Sequence, residues 1–191
     1  MTVTVVVAHP WDGSYNRALY DTAVRALEAR GREVVTIDLN IDGFDPVMKQ
    51  ADLALFSKGK STDEQVEKYQ AILKNTKELV FIFPLWWFGP PAILKGFMDK
   101  VMLKNFAYTE SKLGLKGLLT HIKKATVITT SESPTFYLRV KGNPIKNIFI
   151  NAALREFGIK KIVWLNHGRT KSGSEKSRRA FLRKVEKHFS A

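Results

Sequence analysis

Short apolar runs alternate with segments of helical periodicity along most of the chain. Runs rich in Val, Ile, Leu and Phe, bounded by polar residues or turn formers, predict strands at 3–8, 33–39, 78–83, 124–130 and 160–166. Apolar residues three and four apart predict helices at 16–30, 49–58, 62–75, 92–103, 144–157 and 174–189. The segment 131–143 is predicted to be irregular. This alternation indicates an α/β fold, and we predict a five-stranded parallel sheet with helices on both faces.

Absences in the sequence limit what the protein can be. The 191 residues contain no repeat or linker, so a single domain over 1–191 is predicted. There is no cysteine, which excludes disulfides and thiolate sites, and the four histidines lack metal-ligand spacing, so no metal site is predicted. The sequence has no uncharged apolar stretch of about 18 residues, the length that a membrane-spanning helix requires. No leader-like segment precedes the first strand, so a cytoplasmic location is expected.

The charge is distributed unevenly between the two halves of the chain. Residues 1–94 carry 10 basic and 12 acidic side chains, whereas residues 95–191 carry 21 basic and 6 acidic ones, for a total net charge of +13. A basic half can attract nucleic acid, a membrane surface or a phosphorylated cofactor. The basic residues are dispersed, the aromatic residues cluster elsewhere, and no nucleic-acid motif is present, so a nucleic-acid partner is not predicted.

The loop 9–16, with sequence HPWDGSYN, joins the first strand to the first helix. A helix N-terminus presents free N–H groups and a partial positive charge, which suit a phosphate. Ser14 is a good N-cap residue, and His9 and Asn16 add side-chain donors. From spacing alone, a phosphate site and a capped loop without a ligand are equally good interpretations.

Two further loops follow predicted strands. The segment 83–91, FPLWWFGPP, places consecutive aromatic residues between prolines; it suits either core packing or, as we favour, a planar ligand. The segment 129–137, TTSESPTFY, is rich in small hydroxyl residues and suits either a cofactor rim or a polar turn. Ligands of open α/β sheets bind beyond the carboxyl ends of the strands, which is where all three loops lie.

Together these loops resemble the NAD(P)H:quinone oxidoreductase family, the DT-diaphorase-like or modulator-of-drug-activity-type flavoproteins. The stretch 83–101, FPLWWFGPPAILKGFMDKV, is similar to the family's aromatic loop and following helix almost position for position. HPWDGSYNRAL at 9–19 resembles its phosphate loop, and FDPVM at 44–48 and FAY at 106–108 resemble two shorter stretches. The resemblance spans about residues 1–170 and implies a flavodoxin-like fold.

The resemblance also implies an activity and a set of residues. Members of the family pass a hydride from NADH or NADPH to a bound flavin and then two electrons to a quinone, with both substrates using one pocket in ping-pong order. FMN is expected here, with FAD as the alternative, and so is a homodimer. The matching positions predict that the flavin is bound by His9, Ser14, Tyr15, Asn16, Pro84, Leu85, Trp86, Trp87, Phe88, Thr129, Thr130, Ser131 and Glu132.

The chain departs from the longer family members after the fourth predicted strand. Those members have Thr-Thr-Gly-Gly, whereas residues 129–132 of this chain are Thr-Thr-Ser-Glu. Ser131 and Glu132 thus replace the two glycines, which changes how closely the backbone can approach a flavin. They also use a tyrosine and a histidine after this loop to stabilise charge on the reduced flavin. Tyr137 matches the tyrosine, and Arg139 is predicted to replace the histidine. These two are the predicted catalytic residues.

Two alternatives of another class stay open at this point. Shorter relatives include an ancillary subunit of a potassium-efflux antiporter, and the basic second half could serve such docking. An electron-transfer flavodoxin would share the fold, but such proteins are usually acidic and lack the aromatic loop, so the net charge of +13 argues against it.

Overall fold

Five apolar segments form a parallel sheet at the centre of the molecule. The computed structural model describes residues 1–112 and 114–190. The strands of the central sheet are β1 (Thr2–Val7), β2 (Glu33–Asp38), β3 (Glu78–Pro84), β6 (Lys124–Ser131) and β7 (Ile162–Gly168). They lie in the order β2-β1-β3-β6-β7, and every neighbouring pair is parallel. This confirms the predicted flavodoxin-like sheet, in which strand order reverses between β1 and β3.

Helices cover both faces of this sheet, as predicted. They are α1 (Tyr15–Glu28), α2 (Gln50–Phe56), α3 (Glu64–Asn75), α4 (Ala92–Val101), α5 (Thr135–Val140), a π-helix (Ile145–Leu154) and α6 (Glu175–Ser190). None of the helices in the described part of the chain combines the length and apolarity that crossing a bilayer requires.

The pleat of the strands divides the core between the two faces. Val3, Val5 and Val7 of β1 pack with apolar residues of α1 and α6, whereas Val6 belongs to the cluster on the opposite face. β3 alternates in the same way, with Val80 and Ile82 on the first face and Leu79, Phe81 and Phe83 on the second. Successive side chains of a strand point to opposite faces, so a strand that is apolar at every position needs helices on both sides.

The structure differs from the sequence prediction in three places. β4 (Tyr108–Ser111) and β5 (Gly114–Gly117) pair as a small antiparallel sheet, which was not predicted because its strands are short and largely polar. The segment 131–143, predicted as irregular, contains the six-residue helix α5. The predicted helix 144–157 is a π-helix over Ile145–Leu154, in which hydrogen bonds span five residues rather than four.

A buried lysine connects α4 to the loop that follows β2. Lys100 is 4% exposed, and its Nζ donates to Asp63 Oδ2 at 2.7 Å and to the Asp45 carbonyl oxygen at 2.9 Å. Asp63 also caps α3 by accepting from Gln65 N. Burial raises the pKa of Asp63, but the hydrogen bonds from Lys100 and Gln65 outweigh burial and leave it below its usual value.

We therefore expect Lys100→Met to lower the free energy of unfolding by about 2–3 kcal/mol at pH 7, because it leaves a carboxylate in a partly buried site without its cation. A carboxyl group whose pKa is lower in the folded than in the unfolded protein stabilises the fold at any pH above its ordinary pKa of about 3.9. That stabilisation is lost as the pH falls through the pKa of the folded state. The difference between wild type and variant in urea unfolding should therefore narrow from pH 7 towards pH 3.

Arg179→Met is the control for this prediction, because the Arg179–Glu175 pair is 69% and 67% exposed and such pairs contribute less than about 1 kcal/mol. Equal losses in the two variants, or a Lys100→Met loss that does not change with pH, would contradict the account.

Candidate functional site

A cavity of about 300 Å³ opens at the carboxyl edge of the sheet. It lies where β1, β3 and β6 end, next to the point at which the strand order reverses. The residues around it come from four loops that are far apart in the sequence. They are His9, Trp11, Ser14, Tyr15, Asn16, Pro84, Leu85, Trp86, Thr130, Ser131, Glu132, Thr170 and Lys171.

The start of α1 forms one wall of this cavity. Ser14 caps the helix by accepting from Arg17 N at 3.1 Å, and the Ser14 carbonyl oxygen accepts from Ala18 N at 3.2 Å. Tyr15 and Asn16, the first two residues of the helix, come before Arg17 and Ala18 in the chain. Their N–H groups lie at the helix start, beside the cavity. Because N–H groups at a helix start carry partial positive charge, this wall suits an anion.

His9 adds a neutral donor to the same wall. Its Nδ1 accepts a hydrogen bond from Trp11 N at 3.1 Å, which places the ring proton on Nε2. Burial lowers the pKa of His9, and the nearby charge of Arg17 lowers it further. The ring is therefore neutral at pH 7, and its Nε2–H can donate to a ligand.

A buried amide ties this wall to β6. Asn16 is 3% exposed, and its Nδ2 donates to Thr130 Oγ1 at 3.0 Å. Thr130 in turn accepts from Leu85 N at 2.7 Å through its carbonyl oxygen. One chain of hydrogen bonds thus joins the ends of α1, β6 and β3, and fixes the distance between the first two candidate loops.

The aromatic loop closes through a tight turn. Trp86 N donates to the Gly89 carbonyl oxygen and Gly89 N donates to that of Trp86, both at 3.0 Å. Between them, Trp87 and Phe88 have φ angles of 51° and 66°, the left-handed geometry of a type I′ turn. For a residue other than glycine, this backbone conformation costs about 1–2 kcal/mol. The Trp87 side chain, at the tip of the turn, is 98% exposed.

The loop after β6 separates the main cavity from a smaller recess. That recess, of about 190 Å³, is lined by Trp87, Phe88, Ser133 and Leu138, and it shares Leu85, Ser131 and Glu132 with the main cavity. Ser131 and Glu132, which replace the glycines of the longer family members, therefore form the wall between the two spaces.

A fourth loop, after β7, was not predicted to be part of the site. Thr170 N and Oγ1 both donate to the Ser131 carbonyl oxygen, at 3.1 and 3.2 Å, and Lys171 N donates to Glu132 Oε1 at 2.9 Å. Arg178 holds this loop from the other side by donating to the Thr170 and Gly173 carbonyl oxygens. The rule that ligands lie beyond strand ends also applies to β7 and could have identified Thr170 and Lys171.

Tyr15 and His167 support the first wall from behind. The Tyr15 hydroxyl donates to the Arg178 carbonyl oxygen at 2.8 Å, and its ring lies 5.3 Å from that of His167. Burial raises the pKa of Tyr15 and lowers that of His167, so both are neutral near pH 7. His167 Nε2 lies 3.2 Å from Ser177 Oγ. This packing fixes α1 against the start of α6.

Not every residue proposed from the sequence lies at the main cavity. Trp87 and Phe88 line the smaller recess instead. Thr129 is fully buried; it donates to Asn166 Oδ1 and accepts from Trp164 Nε1, so its side chain serves the sheet rather than a ligand. The Tyr137 ring lies 6.1 Å from that of Phe88, next to the recess, and Arg139 is exposed on the same helix. The remaining predicted flavin residues border the main cavity.

Comparison with known proteins agrees with this architecture. The family described as having a flavodoxin-like fold matches residues 1–189. The chain is 33% identical over 149 residues to NAD(P)H dehydrogenase (quinone) 1 of Cavia porcellus, which covers 70% of this chain and 54% of that protein. It is 30% identical over 157 residues to ribosyldihydronicotinamide dehydrogenase (quinone) of Pongo abelii, covering 74% and 68%. The chain thus spans about half the length of the first of these relatives.

Solved structures extend the likeness to the whole chain. Smu.1420 of Streptococcus mutans superposes with a TM-score of 0.86 at 30% identity, covering 100% of this chain and 99% of that one. NAD(P)H:quinone oxidoreductase of Methanothermobacter marburgensis superposes with a TM-score of 0.91 at 23% identity, covering 100% and 98%, which shows the shared fold. The chain therefore belongs to the flavodoxin-like family that includes the NAD(P)H:quinone oxidoreductases.

Proposed function

We propose that this protein is an NAD(P)H-dependent flavin oxidoreductase that binds FMN at the carboxyl edge of its sheet and reduces a quinone or a similar acceptor. The observation that carries the proposal is that a helix start suited to an anion and the first residues of the aromatic loop, Pro84 to Trp86, border one cavity. When bound, the flavin supplies the hydride acceptor and the two-electron donor. The protein's own residues bind it, orient it and exclude water.

The residues of the cavity fit a flavin phosphate and ribityl chain. The N–H groups of Tyr15 and Asn16, the Ser14 hydroxyl and the neutral His9 would hold the phosphate without an added cation. Arg17 is not free for this, because its guanidinium is hydrogen-bonded to Asp38 and lies 3.2 Å from Asp12. We propose FMN as the flavin, with FAD as the alternative.

The aromatic turn and the loop after β6 would hold the ring. Pro84 and Leu85 border the cavity, and the N–H groups of Trp87 and Phe88, at the centre of the turn, would face a ring's polar edge. Thr130, Ser131 and Glu132 would lie beside the other edge. Tyr137, next to Phe88, would stabilise negative charge on the reduced ring. Arg139 lies on the exposed face of the same helix, so we do not assign it a role at the ring.

Support for the substrates comes from the relatives. The proteins from Cavia porcellus and Methanothermobacter marburgensis are named for NAD(P)H and quinone. A Bacillus anthracis structure of the same fold, with a TM-score of 0.78, is described as an FMN-dependent NADH-azoreductase in complex with FMN. The resemblance implies that NADPH or NADH and the acceptor use the same pocket in turn, so ping-pong kinetics are expected. The antiporter-subunit alternative gains no support from these relatives. A cytoplasmic location is part of the proposal.

The test of the flavin site uses Asn16. We expect Asn16→Ala to raise the dissociation constant for FMN about tenfold, because a buried polar group that positions the phosphate wall is lost. Asn75→Ala is the matched control, since Asn75 lies on exposed α3 surface and donates only within its own helix. FMN binding to apoprotein would be followed by quenching of flavin fluorescence. Equal affinities for the two variants, or no FMN binding by the wild type, would contradict the proposal.

We also propose a homodimer, formed through an apolar groove between the aromatic loop, α4 and the π-helix. The groove has a volume of about 290 Å³, and its apolar lining includes Phe88, Met98, Ile145, Phe149 and Phe157. Ile148 borders it and is 66% exposed. Apolar surface of this kind on one side of a molecule marks an interface, and the resemblance implies that the partner completes the site.

We expect Ile148→Asp to convert the dimer to a monomer in sedimentation velocity, because the carboxylate would be buried without a partner. Ile41→Asp is the control, since Ile41 is 69% exposed on the loop after β2, away from the groove. A wild-type monomer at all concentrations, or equal dissociation by both variants, would rule out this interface.

A further inference from the structure

Helix α5 exposes two of its large apolar side chains to solvent. Phe136 is 64% exposed and Val140 is 72% exposed, whereas Leu138 is the buried residue of the helix. Phe136, Arg139 and Val140 are three and four positions apart, so they share one exposed helix face. A short helix that exposes two large apolar side chains beside a cation has the arrangement of a membrane-interface segment.

Further cations surround this face. Lys141 ends α5, with its Nζ 5.5 Å from the centre of the Tyr137 ring. Arg169 and Lys171 are exposed on the loop after β7. That loop is held against the start of α5 by the hydrogen bonds of Thr170 to Ser131, and Gly168 brings it next to the backbone from Ser133 to Thr135. We call the residues Phe136, Arg139, Val140, Lys141, Arg169 and Lys171 the α5 surface.

The basic side chains of the α5 surface form no direct ion pairs in the part of the chain that the structure describes. Among the residues that the structure describes, no carboxylate lies within 4 Å of the charged nitrogens of its four basic side chains. The nearby Glu132 accepts from the backbone N–H of Lys171 instead. Apolar side chains that project among unpaired cations fit a surface with negative charges above an apolar layer.

We propose that the α5 surface docks this protein on anionic lipid bilayers. Phe136 and Val140 would enter the boundary between headgroups and acyl chains, and the four cations would contact anionic headgroups. Each such cation strengthens membrane binding by about fivefold. A second copy of the chain is a poor occupant, because a two-fold interface there would bring the same cations together.

The α5 surface lies next to the candidate flavin site, so docking there would bring the membrane close to that site. This part of the inference rests on the proposed function. Tyr137 lies on the same helix, with its ring 6.1 Å from that of Phe88, which lines the recess beside the candidate flavin site. A bilayer seated on α5 would therefore lie next to that opening. The substrate class expected from this arrangement is a quinone with an apolar tail that partitions into lipid.

The test measures docking without flavin, nicotinamide or turnover, so its outcome does not depend on the redox proposal. Purified full-length protein is sedimented with vesicles of phosphatidylcholine alone or with about one third phosphatidylglycerol. We expect binding to the anionic vesicles that weakens as salt is added, and little binding to the neutral ones. The double variant Phe136→Ser, Val140→Ser should bind at least tenfold more weakly, and the double variant Lys141→Gln, Arg169→Gln about 25-fold more weakly.

Control variants separate docking from general attraction. Leu53→Ser removes a 61% exposed apolar side chain from α2, and Lys58→Gln, Lys74→Gln removes two exposed cations from another part of the surface. Both should bind like the wild type, and circular dichroism would confirm that all variants are folded. No binding to anionic vesicles, or equal losses in test and control variants, would overturn the proposal. It would also be overturned if the α5 variants left vesicle binding intact but dissociated a dimer, or if they lost nucleic-acid binding instead.

Discussion

The parallel pairing of β1 with β3 and of β3 with β6 is the constraint on which the rest of the structure depends. It brings the carboxyl ends of three strands to one edge, so that loops separated by more than 100 residues border a single cavity. The strands can pair this way because they are apolar on both faces and are covered by helices on both sides. The buried Asn16–Thr130 hydrogen bond then fixes how far apart the loops stand.

The second constraint is the rigid turn at Trp87 and Phe88. Two aromatic residues adopt positive φ there, a conformation that favours glycine and that is stabilised only by the surrounding structure. Reciprocal hydrogen bonds between Trp86 and Gly89 close the turn, and Pro90 and Pro91 stiffen the exit into α4. The same feature that costs conformational energy gives the N–H groups of the turn a fixed direction before any ligand binds.

The sequence predicted well those features that depend on a repeating pattern. The five sheet strands and the α1 cap at Ser14 follow from apolar runs and from a hydroxyl residue at a helix start, and both are present. The β4–β5 pair and α5 were missed, because short polar strands and a six-residue helix carry no periodicity of their own. The burial of Thr129 was also unpredictable, since it depends on Asn166 and Trp164 on the neighbouring strand. The contribution of Thr170 and Lys171 depends likewise on which strand lies beside β6.

Glu132 shows how these limits combine. Its sequence position indicated a carboxylate where longer relatives have glycine, and the structure gives it a partner, Lys171 N, on a loop that was not considered.

The central claim is that this edge of the sheet binds a flavin that NADPH can reduce. The most direct measurement is the visible spectrum of the protein loaded with FMN, recorded during anaerobic addition of NADPH or NADH. The account predicts that the absorption band of the bound flavin bleaches with one equivalent of nucleotide and returns when a quinone is added. A protein that takes up neither FMN nor FAD would contradict this account.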